Sequence, residues 1–521
     1  MATQTPARAP VTQPALGPVG WARWAWRSLT SMRTALFLLL LLSIAAVPGS
    51  IFPQRSIDAA KVADFLATNP TTGPWLDRLG FFEVYSSVWF SAIYLLLVVS
   101  LVGCIIPRSR LHWHTLRARP PRAPRNLSRL DQFVELEYAG DVASAQEAAR
   151  EALRRRRFRV VSHDDESVSA ESGYLRETGN LVFHVGLCLV IVGVAVGYLF
   201  GWRGDVIVTE GDTFSSTLSS YDTFLPGPMT NPENLPPFTI DLKSMRVTFE
   251  DQVGGAQFGA PRSFTADVTT TERPGGPATP EQISPNHPVT LDGADVFLLG
   301  NGYAPVVTVR NAAGDVLYQQ ATPFLAQDNL YTSVGAIKVG AARPTGLAFS
   351  GFFLPTAEPT YANGPASVFP DARDPELALS VWEGDLFAGN RPQSVYTLDT
   401  TNLTQLTKAD RTPLLIRLKP GQRYELPGAR GSITFDAVDR FAGLSARVDP
   451  GKELTLVAAI ATILGLVASL LVRRRRIFVR VRPEDDPSRT LVAIGGLART
   501  SDPGLGAVLA GLRDELMGTG R

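Results

Sequence analysis

The sequence predicts a polytopic α-helical membrane protein with four transmembrane helices and a large, β-rich, sandwich-like extracytoplasmic domain between helices 3 and 4. Three observations predict this fold class. Four windows of about 20 residues lack Asp, Glu, Lys and Arg, and a helix of that length crosses roughly 30 Å of hydrocarbon. Arginines cluster at only some of the window ends. The long stretch between the third and fourth windows instead alternates short apolar runs with Pro and Gly.

The overall composition does not reveal a membrane protein by itself. Of the 521 residues, 45% are apolar and 19% are charged, as in many soluble proteins, so the membrane signal comes from local windows. The net charge of +1 argues against a nucleic-acid-binding protein, and no nucleic acid is expected among the partners. The length is sufficient for several domains.

The uncharged windows predict where the chain crosses the membrane. The predicted spans are residues 34–52, 87–106, 181–201 and 453–472, and the uncharged window of the last span is 454–472. Buried helices of a soluble protein are the alternative, but four uncharged runs of this length favour spans. The first window can also be interpreted as a cleaved signal peptide, because an Arg-bearing segment precedes it and residues 43–46 are small or apolar. A retained helix is favoured, since the apolar run is long and three tryptophans precede it like an interfacial anchor.

The arginines predict which side of the membrane each segment faces. They precede the first span and follow the second and fourth spans, whereas residues 53–86 have balanced charges. By the positive-inside rule, both termini and residues 107–180 lie in the cytoplasm. The prediction is a multi-pass plasma-membrane protein with a cytoplasmic N-terminal arm (1–33), a short outer loop (53–86), a cytoplasmic αβ loop (107–180), an outer β-rich domain (202–452) and a cytoplasmic tail (473–521).

Apolar periodicity predicts the structure of the segments outside the membrane. In residues 107–180, strand patterns at 133–138 and 158–162 flank a helical pattern at 144–157. The tail repeats this style with a strand at 477–481 and a helix at 505–517, so each segment is expected to be a small αβ element. The outer segment has short alternating runs that are typical of antiparallel sheets stacked into sandwiches, and its length favours more than one sheet pair.

Residues that commonly carry chemistry are few. The two cysteines, Cys104 and Cys188, lie in apolar windows, which indicates small packing residues rather than a redox pair. The sequence contains no phosphate-binding Gly-rich motif, no metal-spaced His or Cys cluster and no CxxCH haem-attachment motif. We therefore predict no catalytic residue and no enzyme.

One histidine lies inside a predicted span. His184 is about 5 Å past the inner edge of the third span, where an ionisable group is costly and points to function. Cys188 shares its helix face, whereas Gly186, Gly193 and Gly197 lie on the opposite face and suit close helix packing. An imidazole there can bind haem iron as an axial ligand. The alternative is an interfacial histidine that contacts a lipid headgroup or a backbone carbonyl.

The histidines outside the spans are interpreted differently. His112 and His114 lie among arginines after the second span, where contact with membrane lipid headgroups is favoured over metal binding. His287 lies in the outer segment and is expected to be structural.

Three stretches give the chain a resemblance to the ResB family of system II cytochrome c biogenesis proteins. The family's first helix, with its Pro-Gly exit and Phe-Pro-Gln ending, is similar to residues 31–54 (SMRTALFLLLLLSIAAVPGSIFPQ). Its outer-domain signature is similar to residues 286–305 (NHPVTLDGADVFLLGNGYAP), and its final Asp-Pro-Gly, helix and basic exit to residues 443–481. Together the resemblance covers nearly all of the chain. High Arg and low Lys usage suggests a GC-rich genome, and the match looks closest to actinobacterial members.

The resemblance implies a cargo and a partner. Such proteins act with a second polytopic membrane protein of the ResC or CcsA type, which bears a tryptophan-rich haem-handling motif that this chain lacks. Together they move haem outward and support its covalent attachment to the CxxCH motifs of apocytochrome c. The family's membrane histidine falls on His184, so the resemblance implies a transient haem b whose iron has His184 as an axial ligand. The chain would then be a non-catalytic assembly factor.

Two other classes of protein remain open. A membrane-anchored envelope scaffold or binding protein with an outer β domain would have the same topology and bind no haem. A thiol–disulfide electron carrier would need paired cysteines that are reachable from outside, which the positions of Cys104 and Cys188 do not provide.

Overall fold

The structure, a computed structural model, divides into two compact units. It describes residues 17–163, 166–252, 255, 257–358, 360, 364–387, 396–408, 410–484, 489–498 and 502–518, apart from the side chains of residues 59 and 60. The first unit combines Met1–Gly193 with Glu453–Arg521, and the second is Val194–Lys452.

Four helices of the described chain are long and apolar enough to cross a membrane. The helices are α1 (Pro18–Leu29), α2 (Met32–Ile51), α3 (Ala59–Thr68), α4 (Gly73–Arg78), α5 (Val88–Arg117), α6 (Val142–Arg155), α7 (Leu175–Phe200), α8 (Lys452–Leu471) and α9 (Gly504–Leu516). The four candidate spans are α2, α5, α7 and α8. The predicted fold class, with four such helices and a β-rich region between the third and the fourth, is confirmed.

Two of the long helices extend beyond their apolar windows. The apolar window of α5 ends near residue 106, but the helix continues through Pro107 to Arg117. Likewise, α7 begins at Leu175, several residues before its uncharged window. A helix can continue beyond the membrane interior with charged and polar side chains, because its backbone hydrogen bonds do not depend on side-chain polarity. Hydropathy therefore marks the edge of the bilayer and not the end of the helix. These extensions carry polar side chains that border the candidate site.

The strands of the described chain form four antiparallel sheets. They are β1 (Gln132–Ala139), β2 (Arg159–Ser162), β3 (Ser167–Ser172), β4 (Trp202–Thr209), β5 (Thr213–Ser215), β6 (Thr223–Pro226), β7 (Thr239–Phe249), β8 (Pro261–Thr271), β9 (Thr279–Ile283), β10 (Val289–Leu291), β11 (Ala294–Arg310), β12 (Val316–Ala321), β13 (Leu325–Ala326), β14 (Ser333–Val339), β15 (Gly346–Leu354), β16 (Glu376–Gly384), β17 (Leu403–Gln405), β18 (Leu415–Leu418), β19 (Arg423–Glu425), β20 (Ser432–Val448), β21 (Arg475–Pro483) and β22 (Arg489–Ala498).

The segments 107–180 and 473–521 fold together into one small αβ domain. The strands and helices predicted in both segments are present, but the first segment, expected to be a compact αβ element, shares its sheet with the tail. Their strands form a single five-stranded sheet in the order β1-β22-β21-β3-β2. Leu153 of α6 and Leu509 of α9 are fully buried in a core with Val479 and Ile494 of that sheet. Neither segment has a complete sheet alone, because the hairpin β21–β22 lies between β1 and β3.

The second unit is a β structure with two hydrophobic cores. The long strands β11 and β20 pair along their length and contribute to both cores, with Val296 and Leu444 in one and Val309 and Phe435 in the other. A six-stranded sheet built on β13–β18 completes one core, and a four-stranded sheet of β5, β7, β8 and β9 contributes to the other. The prediction of more than one sheet pair is confirmed.

Candidate functional site

Helix α7 packs closely against α8 through a stripe of glycines. Gly179, Gly186 and Gly193 are buried and recur at intervals of seven residues, which is nearly two helical turns. A Cβ atom at Gly186 would lie 2.4 Å from Thr462 Oγ1, and one at Gly193 would lie 2.4 Å from Thr455 Oγ1. Glycine permits this close approach of two helices, as predicted from the sequence.

The opposite face of α7 borders an apolar cavity between α2, α5 and α7. The cavity has a volume of about 290 Å³, near the lower end for small-molecule sites. Its walls are mainly leucines, including Leu36 of α2, Leu101 of α5 and Leu187 of α7. His184 lines this cavity. A planar, largely apolar ligand larger than this volume would extend through the open side of the cavity.

The imidazole of His184 is oriented by its own helix. Its Nδ1 lies 2.7 Å from the carbonyl oxygen of Asn180, one turn earlier. A carbonyl oxygen can only accept, so Nδ1 carries the proton and donates it. In the neutral ring this leaves the lone pair on Nε2, the tautomer that an iron ligand requires. The backbone contact considered as an alternative is therefore present, and it leaves Nε2 without a proton in the neutral ring.

Other ligand types line the same cavity but are engaged elsewhere. The thiol of Cys104 donates to the carbonyl oxygen of Thr30 at a distance of 2.7 Å. The sulfur of Met32 accepts a hydrogen bond from Arg108 at 2.7 Å. Cys188 is half-buried one turn after His184 and forms no disulfide. Within the described residues, no three His, Cys, Asp or Glu side chains are grouped as a metal site would need. Haem requires fewer protein ligands than such a metal site, because its porphyrin supplies four of the iron ligands and the protein adds only axial ones.

A second, more polar cavity lies at the junction of α5, α7 and the small αβ domain. Its volume is about 680 Å³. Three arginines and a histidine border it together with one glutamate: Arg108, Arg474, Arg476, His112 and Glu177. Sequence reasoning missed this cavity. It interpreted the arginines only as markers of membrane orientation, and their convergence depends on residues that are far apart in the sequence.

His112 lies inside this cluster. It was expected at lipid headgroups, but its side chain is only 9% exposed, so this interpretation is wrong. Its Nε2 lies 2.9 Å from Thr178 Oγ1, and its Nδ1 lies 3.4 Å from a carboxylate oxygen of Glu177. The ring therefore links the extended ends of α5 and α7. His114, two residues later, is exposed.

Buried ion pairs hold Arg474 and Arg476 at the rim of this cavity. Arg474 pairs with Glu171 at 3.3 Å and also with Glu177, while Arg476 pairs with Glu171. Burial alone would raise the pKa of Glu171, but hydrogen bonding to Tyr174 and the two arginines hold this pKa below its usual value. Burial and the same hydrogen bond raise the pKa of Tyr174 to about 12. Glu171 is therefore ionised at neutral pH, and Tyr174 keeps its proton.

His287 belongs to the second unit and lines neither cavity. It is exposed in the turn between β9 and β10, where its Nδ1 donates to the carbonyl oxygen of Pro285 at 3.1 Å. This contact stabilises the turn, in agreement with the structural interpretation.

Comparison with known proteins gives one consistent result. The family model described as the ResB-like family matches residues 32–510. The chain is similar to cytochrome c biogenesis protein CcsB of Synechococcus sp. (strain CC9311), with 24% identity over 497 residues, which cover 92% of this chain and 95% of that protein. The protein of the same name from Synechococcus sp. (strain RCC307) is 25% identical over 466 residues, covering 87% of this chain and 88% of its own length. A shorter match, 25% identical over 330 residues, is to CcsB of Gloeobacter violaceus, covering 58% of this chain and 63% of that protein.

Proposed function

We propose a role in cytochrome c biogenesis for this chain, which belongs to the ResB-like family. Two relatives named for that process match over 95% and 88% of their length, and the four candidate membrane helices suit an assembly factor held in a membrane. The specific task we propose is to bind haem within the membrane and to present it for attachment to apocytochrome c.

The orientation of His184 carries this proposal. The ring lines an apolar cavity and donates through Nδ1 to a carbonyl oxygen, which leaves Nε2 with its lone pair. Haem needs apolar surroundings for its ring and a neutral imidazole for its iron, and this cavity offers both. The purely structural alternative, a histidine that only bonds to its own helix, explains the Asn180 contact but gives no reason for an adjoining cavity.

We propose that a second membrane protein of the ResC or CcsA type completes the site. The cavity is small for a whole haem and is partly open, so helices of a partner would cover the remaining porphyrin surface. His184 would supply one axial ligand and the partner the other. Haem would enter from the cytoplasmic side, because the positive-inside rule assigns the inner end of α7 to that side.

The β-rich second unit would act outside the cytoplasm by positioning. It would hold the apocytochrome or brace the partner's loops, so that the vinyl groups of haem meet the thiols of a CxxCH motif. Orienting two reactants can supply much of a rate enhancement without any reactive side chain. The chain would then be a non-catalytic subunit of the attachment machinery.

His184→Ala tests the proposal directly. We expect the wild-type chain, co-expressed and purified with its ResC-type partner, to carry b-type haem, and the variant to lose most of the Soret absorbance per complex. Imidazole added to the variant should restore part of the spectrum, because it can occupy the vacated position. His114→Ala is the matched control, since that histidine is exposed at the end of α5. Equal haem content and identical spectra in wild type and His184→Ala would refute the proposal.

A further inference from the structure

The apolar cavity and the basic cavity are neighbours that share a wall. Arg108, Asn180 and Leu181 line both of them. One face of α5 borders both cavities: Leu101 and Cys104 line the apolar cavity, Arg108 lines both, and His112 lines the basic cavity. The two cavities are therefore adjacent along α5 and α7, and this path along the helices is apolar at one end and basic at the other.

The same change of character occurs along α7. His184, Asn180 and Glu177 lie on one face at spacings of four and three residues, so they follow one another along the path. The step from His184 to Glu177 is about 10 Å along the helix axis. A ligand with an apolar, metal-centred part beside His184 would thus extend its other end toward the basic cavity.

Arg108 stands at the junction and differs from the other two arginines. Arg474 and Arg476 are paired with Glu171 and Glu177. Arg108 is exposed, and the hydrogen bond that the structure gives its guanidinium is to the neutral sulfur of Met32. Among the described residues it forms no ion pair within 4 Å. Its positive charge is thus available to an anionic ligand.

These observations select a class of ligand. A phospholipid would place its phosphate on Arg108 and its acyl chains in the apolar cavity, but it gives no use for the Nε2 lone pair of His184. A metalloporphyrin with carboxylates at one edge of its ring matches all three features: the metal ligand, the apolar wall and the unpaired cation. Arginine binds carboxylates through well-oriented, charge-assisted hydrogen bonds.

We propose that Arg108 binds the carboxylate edge of the porphyrin whose iron is bound by His184, and that the basic cavity is the recognition site for this edge. The inference rests on the proposed haem-binding function and extends it to selectivity. The chain would distinguish haem from porphyrins whose carboxylates are blocked. The charges of Arg474 and Arg476 are compensated by Glu171 and Glu177, so Arg108 would be the cation that attracts the carboxylates.

The test compares two ligands that differ only at the carboxylates. The full-length chain is placed in phosphatidylcholine nanodiscs and titrated with iron protoporphyrin IX and with its dimethyl ester, and binding is followed at the Soret band. We expect wild type to bind the free acid about tenfold more tightly than the ester. This preference is at the low end of the range for a hydrogen bond to a charged group, because Arg108 is exposed. Arg108→Gln should lose this preference and leave the affinity for the ester unchanged. Arg108→Lys should keep part of it.

A neighbouring arginine provides the control, and the outcomes separate the two proposals. Arg110 lies two residues later on α5 and lines neither cavity, so Arg110→Gln should behave like wild type. Equal affinities of wild type for acid and ester, or an equal loss of both in Arg108→Gln, would overturn the inference. A change that appears only in phosphatidylglycerol nanodiscs would assign Arg108 to a lipid and would also overturn it. If His184→Ala shifts the Soret band while the ester is bound as tightly as the acid, haem binding stands and only the carboxylate site fails.

Discussion

Gly186→Ala tests how α7 holds His184 in place. The added Cβ would lie 2.4 Å from Thr462 Oγ1 and 3.1 Å from the carbonyl oxygen of Ala458. Short carbon–oxygen contacts in proteins are about 3.3 Å, so the first contact is too close by almost 1 Å. The Thr462 hydroxyl is itself held, because it donates to the Ala458 carbonyl oxygen at 2.7 Å. The helices must therefore separate, and overpacking of this kind costs about 1–3 kcal/mol.

The assay is reversible unfolding of the full chain in mixed micelles. We expect the variant to lower the free energy of unfolding by about 1–3 kcal/mol. Val185→Ile is the matched control: it also adds one carbon, but at the neighbouring position, where the side chain is 42% exposed, and its effect should stay within about 0.5 kcal/mol.

A double variant distinguishes this clash from a general effect of the substitution. Thr462→Ala removes the closest atom, and the two remaining contacts, at 3.1 Å from the Ala458 carbonyl oxygen and from the Thr462 backbone nitrogen, need a shift of only a few tenths of an ångström. In the background of Thr462→Ala, Gly186→Ala should therefore lose at least half of its destabilisation, a coupling of about 0.5 kcal/mol or more. Haem content of the co-purified complex should fall and recover in parallel, because His184 lies on the same turn of the helix. A Gly186→Ala variant as stable as wild type, or no coupling to Thr462, would refute the reasoning.

Two further predictions concern the segments outside the membrane. The hydrogen bond from Arg475, opposed by burial and helped by Arg473, lowers the pKa of Asp502 to about 2. Because the folded-state pKa lies below the ordinary value, this carboxylate stabilises the small αβ domain above about pH 4, and the contribution is lost as the pH falls toward 2. Arg473 is 50% exposed, so we expect Asp502→Asn to lower the free energy of unfolding at pH 7 by only about 1–2 kcal/mol. Measured by hydrogen exchange, the difference between wild type and variant should be smaller at pH 3, and the control Glu151→Gln should show no such loss. Equal stability of Asp502→Asn and wild type at pH 7 would contradict this prediction. The proposed topology is tested by cysteine labelling in a chain in which Cys104 and Cys188 are replaced. A membrane-impermeant maleimide should label Ser219→Cys in intact cells and Ser128→Cys only after lysis. Labelling of both in intact cells would contradict the assignment of the αβ domain to the cytoplasm.

The membrane helices and the stripe of glycines on α7 could be predicted because their signals are local. A run of about 20 residues without a charge has few explanations other than a span. Likewise, Gly186 and Gly193 lie on the same face of any α-helix, so their use in close packing follows from spacing alone. The same local argument placed His184 on the opposite face, where the structure has the apolar cavity.

The basic cavity could not be predicted because it depends on contacts between distant segments. Glu171 and Arg474 are separated by about 300 residues and meet only because β3 pairs with β21. The sequence shows two similar αβ patterns, and nothing in either pattern indicates that one sheet contains both. Nor does hydropathy show that α5 continues past Pro107, which is what brings His112 against α7.

The two faces of α7 together define how a ligand can reach His184. On the α8 side, the backbones of the two helices are so close that a single added carbon at Gly186 has no room. The free volume beside His184 therefore lies toward α2 and α5, and the basic cavity adjoins it at Arg108, Asn180 and Leu181. A porphyrin that follows this path meets positive charge before it meets the imidazole, so its carboxylate edge would be bound while its iron moves into the apolar region. Under the proposed function, the stripe of glycines and Arg108 would together set the direction from which haem approaches His184.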